Sequence, residues 1–186
     1  MTTTIRQLTM AELEAGLEQI QRSPANDGVL ELIVRRPSTG VREELAEAEL
    51  DPAAGLVGDT WSKRGSRRTA DGSAHPDMQI NVMNARAAAL VAQQRSRWAL
   101  AGDQLFVDFD LSEANLPAGT RLAIGSAVIE ITAEPHTGCG KFADRFGADA
   151  VAFVNATRHR HLHLRGVNAR VVQGGTIRAG DRVAKI

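Results

Sequence analysis

The feature that most constrains the fold is the rhythm of the chain's second half, where short apolar runs alternate with two-residue glycine turns. Residues 121–124 and 127–131 flank Gly125-Ser126, a pair that closes a β-hairpin. Residues 167–172, 176–178 and 182–186 form three further strand-like runs, separated by Gly174-Gly175 and Gly180-Asp181. Strands this short are not stable in isolation and must share a core with several others. The pattern predicts a mainly β fold of the α+β kind: a strand-rich barrel with a few peripheral helices.

The first half supplies the helices. Thr9 and Glu12 have the spacing of a capping box, and Leu8 and Leu13 occupy the staple positions. Leu13, Leu17 and Ile20 then share one helical face, until Ser23-Pro24 and Asp27-Gly28 end the segment. Residues 29–34 read as a buried strand and residues 41–50 fit either helix or strand. Residues 78–83 read as a strand, after which Asn84 caps an alanine-rich helix running to about Gln94. Residues 104–110 read as a strand end carrying Asp108 and Asp110, a carboxylate pair on one face that is more often solvated than catalytic. Residues 60–77 are polar and basic without periodicity, and are expected to form a mobile loop. Its Lys63, Arg64, Arg67 and Arg68 are expected to stay solvated or to await an anion.

Composition narrows the function. Lys plus Arg and Asp plus Glu both number 22, so no global field favours nucleic acid, and 4% aromatic residues leave few stacking platforms for bases. The N-terminus lacks a secretory pattern, and no apolar run is long enough to span a bilayer. A single cysteine forms no internal disulfide, so a cytoplasmic protein is expected, without a nucleic-acid or membrane partner.

That cysteine lies in Pro135-His136-Thr137-Gly138-Cys139-Gly140-Lys141-Phe142, between a predicted strand and a short helix over 142–146. Positive charge from Lys141 and Arg145 favours a thiolate, the nucleophilic and metal-binding form of sulfur. The alternative is a small buried hydrophobe. His159, His161 and His163 alternate, so on a strand they would share a face. A solvated basic edge explains them more simply than a metal site, while Arg158, Arg160 and Arg165 offer an anion site.

Three blocks together resemble the MOSC family, the domain found at the C-terminal end of molybdenum-cofactor sulfurases. They are Gly55-Leu56-Val57-Gly58-Asp59, the stretch from Asn115 through Gly125 to Thr132, and Arg165-Gly166-Val167-Asn168-Ala169-Arg170-Val171-Val172 with its continuation to Asp181. The resemblance spans residues 29–186 and leaves residues 1–28 as an N-terminal helical extension. It implies a barrel whose cysteine, here Cys139, carries sulfur as a persulfide or ligates the molybdenum of a pterin cofactor. Gly58, Asp59, Arg121, Lys141, Arg145 and Arg165 are the implied cofactor-binding residues. The implied partners are a cysteine desulfurase or another sulfur donor, and a small-molecule or pterin ligand. Members with reductase activity carry a His-Gly-Gly segment where this chain reads Gly72-Ser73-Ala74-His75-Pro76-Asp77, and no pyridoxal-phosphate site is evident. A small reductase with Cys139 as molybdenum ligand and a non-catalytic binding domain are the alternatives.

Overall fold

The computed structural model describes residues 5–186. Two short helices, α1 (Met10–Ala15) and α2 (Leu17–Gln21), open the chain. The capping box forms as its spacing predicts: Glu12 N–H donates to the Thr9 hydroxyl, and Thr9 N–H donates to the Glu12 carboxylate at 2.8 Å. Leu13 and Ile20 point inward and are buried.

The strands that follow are β1 (Gly28–Arg35), β2 (Glu43–Leu45), β3 (Glu47–Asp51), β4 (Gly55–Leu56) and β5 (Ile80–Asn84). Helix α3 (Ala85–Ala92) then leads through a 3-10 segment to β6 (Leu105–Asp108), β7 (Arg121–Ile124) and β8 (Ala127–Ile131). Helices α4 (Gly140–Phe146) and α5 (Ala148–Val154) precede β9 (Val167–Gln173), β10 (Gly175–Arg178) and β11 (Arg182–Lys185). Seven strands close a barrel in the order β11-β7-β8-β9-β5-β6-β1, and the ring shuts where Gly28 and Val29 pair with Val183 and Arg182. Ring neighbours are antiparallel apart from β5 and β6, which run parallel and are joined by the α3 crossover. Strand β2 extends the sheet beyond β1, and β10, β3 and β4 form a small sheet of their own.

The pleat sorts side chains into two cores. Ile80 and Val82 of β5, and Leu105 and Val107 of β6, fill the barrel, while Met83 and Phe106 point outward to the helices. An irregularity between Leu30 and Leu32 lets β1 place Leu30 and Ile33 inside and Leu32 and Val34 outside. Phe142, Phe146 and Phe153 from α4 and α5 seal the outer layer. A strand buried on both faces reads as a continuous apolar run, as residues 29–34 do.

The hairpin turning at Gly125-Ser126 is present, with Arg121 opposite Glu130 and Ile124 opposite Ala127. Residues 41–50 resolve as strands, because Glu47 to Leu50 pair with β10. The histidine segment departs from the strand expectation. Thr157–Leu162 is a 3-10 helix and His163 takes a left-handed conformation (φ 48°). His159 turns back to Glu14, 3.0 Å away, His163 Nδ1 donates to the Leu111 carbonyl at 2.7 Å, and His161 between them is exposed, so the shared strand face does not form.

Candidate functional site

Two buried carboxylates organise one side of the barrel. Asp59 follows Gly58, whose positive φ of 85° turns the chain back toward the end of β1. There Arg36 grips Asp59 with both arms, Nε at 2.8 Å and Nη2 at 2.9 Å, and the backbone amides of Arg36 and Trp61 donate to the same carboxylate. Burial alone would raise the Asp59 pKa, yet the Arg36 bonds outweigh it and hold it below its ordinary value. The third nitrogen of Arg36 donates to Asn81 Oδ1 and to the Gly102 carbonyl.

Further arginines gather over this lock. Arg64 lies 3.8 Å from Asp59, and Arg42 is desolvated and crowded by Arg145, Arg36 and Arg64, which lowers its pKa. Arg145 donates to the Leu100 carbonyl at 2.6 Å. A side chain grown on Gly102 (φ 96°) would come within 3.8 Å of Arg42 Nη2 and 3.9 Å of Arg145 Nη1, so both guanidiniums flank the open space above that glycine. Arg42 Nε is buried without a partner among the described residues. Four guanidiniums around one carboxylate leave an excess of positive charge, a setting that suits an anion.

Asp103 is the second carboxylate, next to Gly102 and fully buried. Its Oδ2 accepts from Arg165 Nη1 at 2.7 Å, and its Oδ1 lies 2.8 Å from His136 Nε2. Burial opposes its ionisation, but Arg165 and His136 lower the pKa to about 2. Arg165 also donates to the Ala101 carbonyl at 2.9 Å and lies over the Phe142 ring at 5.0 Å. Burial, reinforced by Arg165, pushes the His136 pKa down. His136 and Arg165 border a cleft of about 590 Å³, bounded by the segment after β8, by α5 and by the 3-10 turn that follows it.

Cys139 starts α4 and its thiol is free and exposed, which sets aside the buried-hydrophobe alternative. The loop before it is held by Asn155, which exchanges hydrogen bonds with the Gly138 backbone at 2.8 and 3.0 Å. Lys141 is exposed on the first turn of α4, and Arg145 on its last turn reaches the arginine cluster. Gly58, Asp59, Arg145 and Arg165 thus converge on the two carboxylate locks. Arg121 instead stands exposed on β7 and pairs with Glu130 at 2.9 Å. Among the described residues, no three His, Cys, Asp or Glu side chains are grouped as metal ligands would be.

The basic loop keeps Lys63, Arg64, Arg67 and Arg68 exposed, as expected, with some of its side chains tied down. Arg68 pairs with Glu134 at 2.5 Å, and Trp61 Nε1 donates to the His75 carbonyl at 3.1 Å. The first contact draws the loop toward the segment that leads to Cys139, while the second ties the loop to itself. Asp108 and Asp110 do not act together: Asp108 pairs with Arg86 at 2.7 Å, and Asp110 accepts from Ser112 N–H at 2.9 Å. Sequence reading missed Arg36, Arg42, Asp103 and His136. A charge directly after an apolar run, as Arg36 follows Val34 and Arg35, was the available signal for the first.

Comparison with known proteins agrees with this architecture. A family model described as MOSC domain matches residues 69–184. No curated protein sequence matches the chain. Among solved structures, the YuaD protein from Bacillus subtilis superposes with a TM-score of 0.62 at 18% identity, covering 84% of this chain and 93% of that one. YiiM from Escherichia coli gives 0.52 at 18% identity, covering 85% and 69% respectively. YiiM from Geobacillus stearothermophilus gives 0.53 at 13% identity, covering 87% and 73%. At these identities the likeness concerns the fold. No helix among the described residues is long and apolar enough to cross a membrane.

Proposed function

Because the chain belongs to the MOSC domain family, we propose that Cys139 is a sulfur carrier, taking sulfane sulfur from a donor and passing it to an acceptor held by the arginine cluster. The observation that carries this reading is the placement of α4. Its first turn presents an exposed free thiol, and its last turn delivers Arg145 to the arginine-flanked space above Gly102. Six residue steps separate Cys139 at the helix cap from Arg145, about 9 Å along the axis.

In the transfer step the Cys139 thiolate attacks the outer sulfur of a donor persulfide, such as that of a cysteine desulfurase. A new S–S bond forms on Cys139, the donor's S–S bond breaks, and the donor leaves as a thiolate without net oxidation or reduction. The orphaned Arg42 Nε and the open space above Gly102 fit the anionic end of a molybdenum-pterin cofactor or another phosphate-bearing ligand. Arg42, Arg64 and Arg145 would hold that end, Asp59 and Arg36 would set the floor, and Cys139 would offer the metal a sulfur ligand. When bound, such a group supplies metal-centred two-electron chemistry.

Loading tests the reading. The protein is incubated with a low-molecular-weight persulfide and its intact mass measured, with inorganic phosphate as competitor for the anion site. One added sulfur is expected in the wild type and none in Cys139→Ser. Arg42→Ala should load as the wild type does but bind phosphate about tenfold more weakly. Equal loading of Cys139→Ser, or unchanged phosphate affinity in Arg42→Ala, would refute the corresponding half.

A further inference from the structure

The cleft beside His136 has chemistry that sulfur transfer at Cys139 does not use. Its walls combine the apolar Leu116, Pro117, Ile131, Val154 and Val167 with two acidic and two basic side chains, Glu113, Glu134, Arg160 and Arg165, so the lining carries no net charge, and its volume of about 590 Å³ suits a ring-sized small molecule. Two histidines enter it, and each has one ring nitrogen already committed to the protein.

His136 Nε2 faces the ionised Asp103 carboxylate, which can only accept, so Nε2 carries the proton and donates. Burial and the neighbouring cations Arg165 and Arg36 keep the ring uncharged, against the opposing pull of Asp103. Nδ1 is therefore left with its lone pair. It has no partner among the described residues and is not sealed from solvent. His163 repeats the arrangement with the nitrogens exchanged. Its Nδ1 donates to the Leu111 carbonyl at 2.7 Å, which leaves Nε2 as the ring nitrogen without a partner among the described residues. A ring that is free to choose its tautomer can donate or accept, whereas Asp103 fixes His136 to present an acceptor.

We propose that this cleft is a binding site for an uncharged, flat ligand bearing N–H donors, an aromatic amide or amino-heterocycle, read by His136 Nδ1 and His163 Nε2. The apolar side chains take the ring faces and the two ring nitrogens select the edge. An analogue that lacks the N–H groups leaves the His136 acceptor unpaired on a desolvated wall, which discriminates more sharply than a change of shape. Asp103 is a positioning residue here, because it bonds His136 from outside the cleft lining, whereas Arg165 holds Asp103 and also borders the cleft.

The test uses the full-length protein with benzamide as probe and N,N-dimethylbenzamide, which has the same ring without donors, as control. Long-range ¹H–¹⁵N correlations on histidine-labelled protein report the tautomers. At neutral pH, His136 should show a protonated Nε2 and an unprotonated Nδ1, and benzamide should shift that Nδ1. Benzamide should bind about tenfold more tightly than its dimethyl analogue, and His136→Phe should remove that difference. Equal affinity for the two probes, no benzamide binding up to its solubility limit, or a protonated Nδ1 would overturn the proposal. The wild-type tautomer and the two-probe comparison stand even where His136→Phe fails to fold. Cys139→Ala should bind benzamide unchanged, so failure of the sulfur reading leaves this result intact, and weakened binding there would overturn the assignment of a separate site.

Discussion

Asp59 and Asp103 are built alike and used differently. Each is buried, each is paired to a buried arginine, and the arginines they hold, Arg36 and Arg165, also bond carbonyls of the 101–102 segment. Asp59 is saturated by one side chain and two backbone amides, so it is a closed lock whose outer surface is arginine. Asp103 divides itself between Arg165 and His136, and the second bond leaves a free ring nitrogen on a cleft. Saturating a carboxylate from within yields a foundation for an anion site. Sharing it with a histidine yields a polar group of defined tautomer.

The sharpest way to break the comparison is to remove each carboxylate. Asp103→Ala strands Arg165 and His136 together and should cost about 3–5 kcal/mol in denaturant unfolding. Asp59→Ala should cost less, about 3 kcal/mol, because Arg36 keeps Asn81 and the Gly102 carbonyl. The reverse order would mean that Asp103 is not the more heavily shared group.

Acid titration of stability separates the two elements of the Asp103 site. The folded pKa of Asp103 is about 2 against an ordinary 3.8, so its contribution is present above about pH 4 and is lost as pH falls toward 2. That limb is worth about 2 kcal/mol and should be missing in Asp103→Asn. His136 acts at higher pH. Its folded pKa lies below 6.5, so the unfolded chain takes up more protons and stability declines as pH drops through that value. His136→Gln should flatten this upper limb and leave the lower one in place. A lower limb unchanged in Asp103→Asn would contradict the assignment.

These interactions contrast with what was legible in the sequence. The hairpin over 121–131 was readable because alternating burial and a glycine turn are local signals, and the Thr9 capping box was readable for the same reason. The histidine segment misled, because alternation over only five residues carries little period information. Its conformation is decided by distant partners, Glu14 and Leu111, which the spacing does not show. Asp103 follows a glycine and reads as an ordinary turn. Its importance comes from Arg165 and His136, brought to it by the barrel's closure. Residues marked by the family resemblance divide accordingly. Asp59 and Arg165 belong to the buried network and the half-buried Arg145 lies at its edge, while Arg121 holds an exposed pair with Glu130 and should cost under about 1 kcal/mol on mutation to alanine.

The state of Cys139 in protein isolated anaerobically tests the sulfur-carrier reading most directly. Intact mass and peptide mapping should find a fraction of the protein carrying one additional sulfur on Cys139, released by cyanide and absent from Cys139→Ser. A Cys139 found wholly as the unmodified thiol, in protein prepared beside an active sulfur donor, would contradict the account.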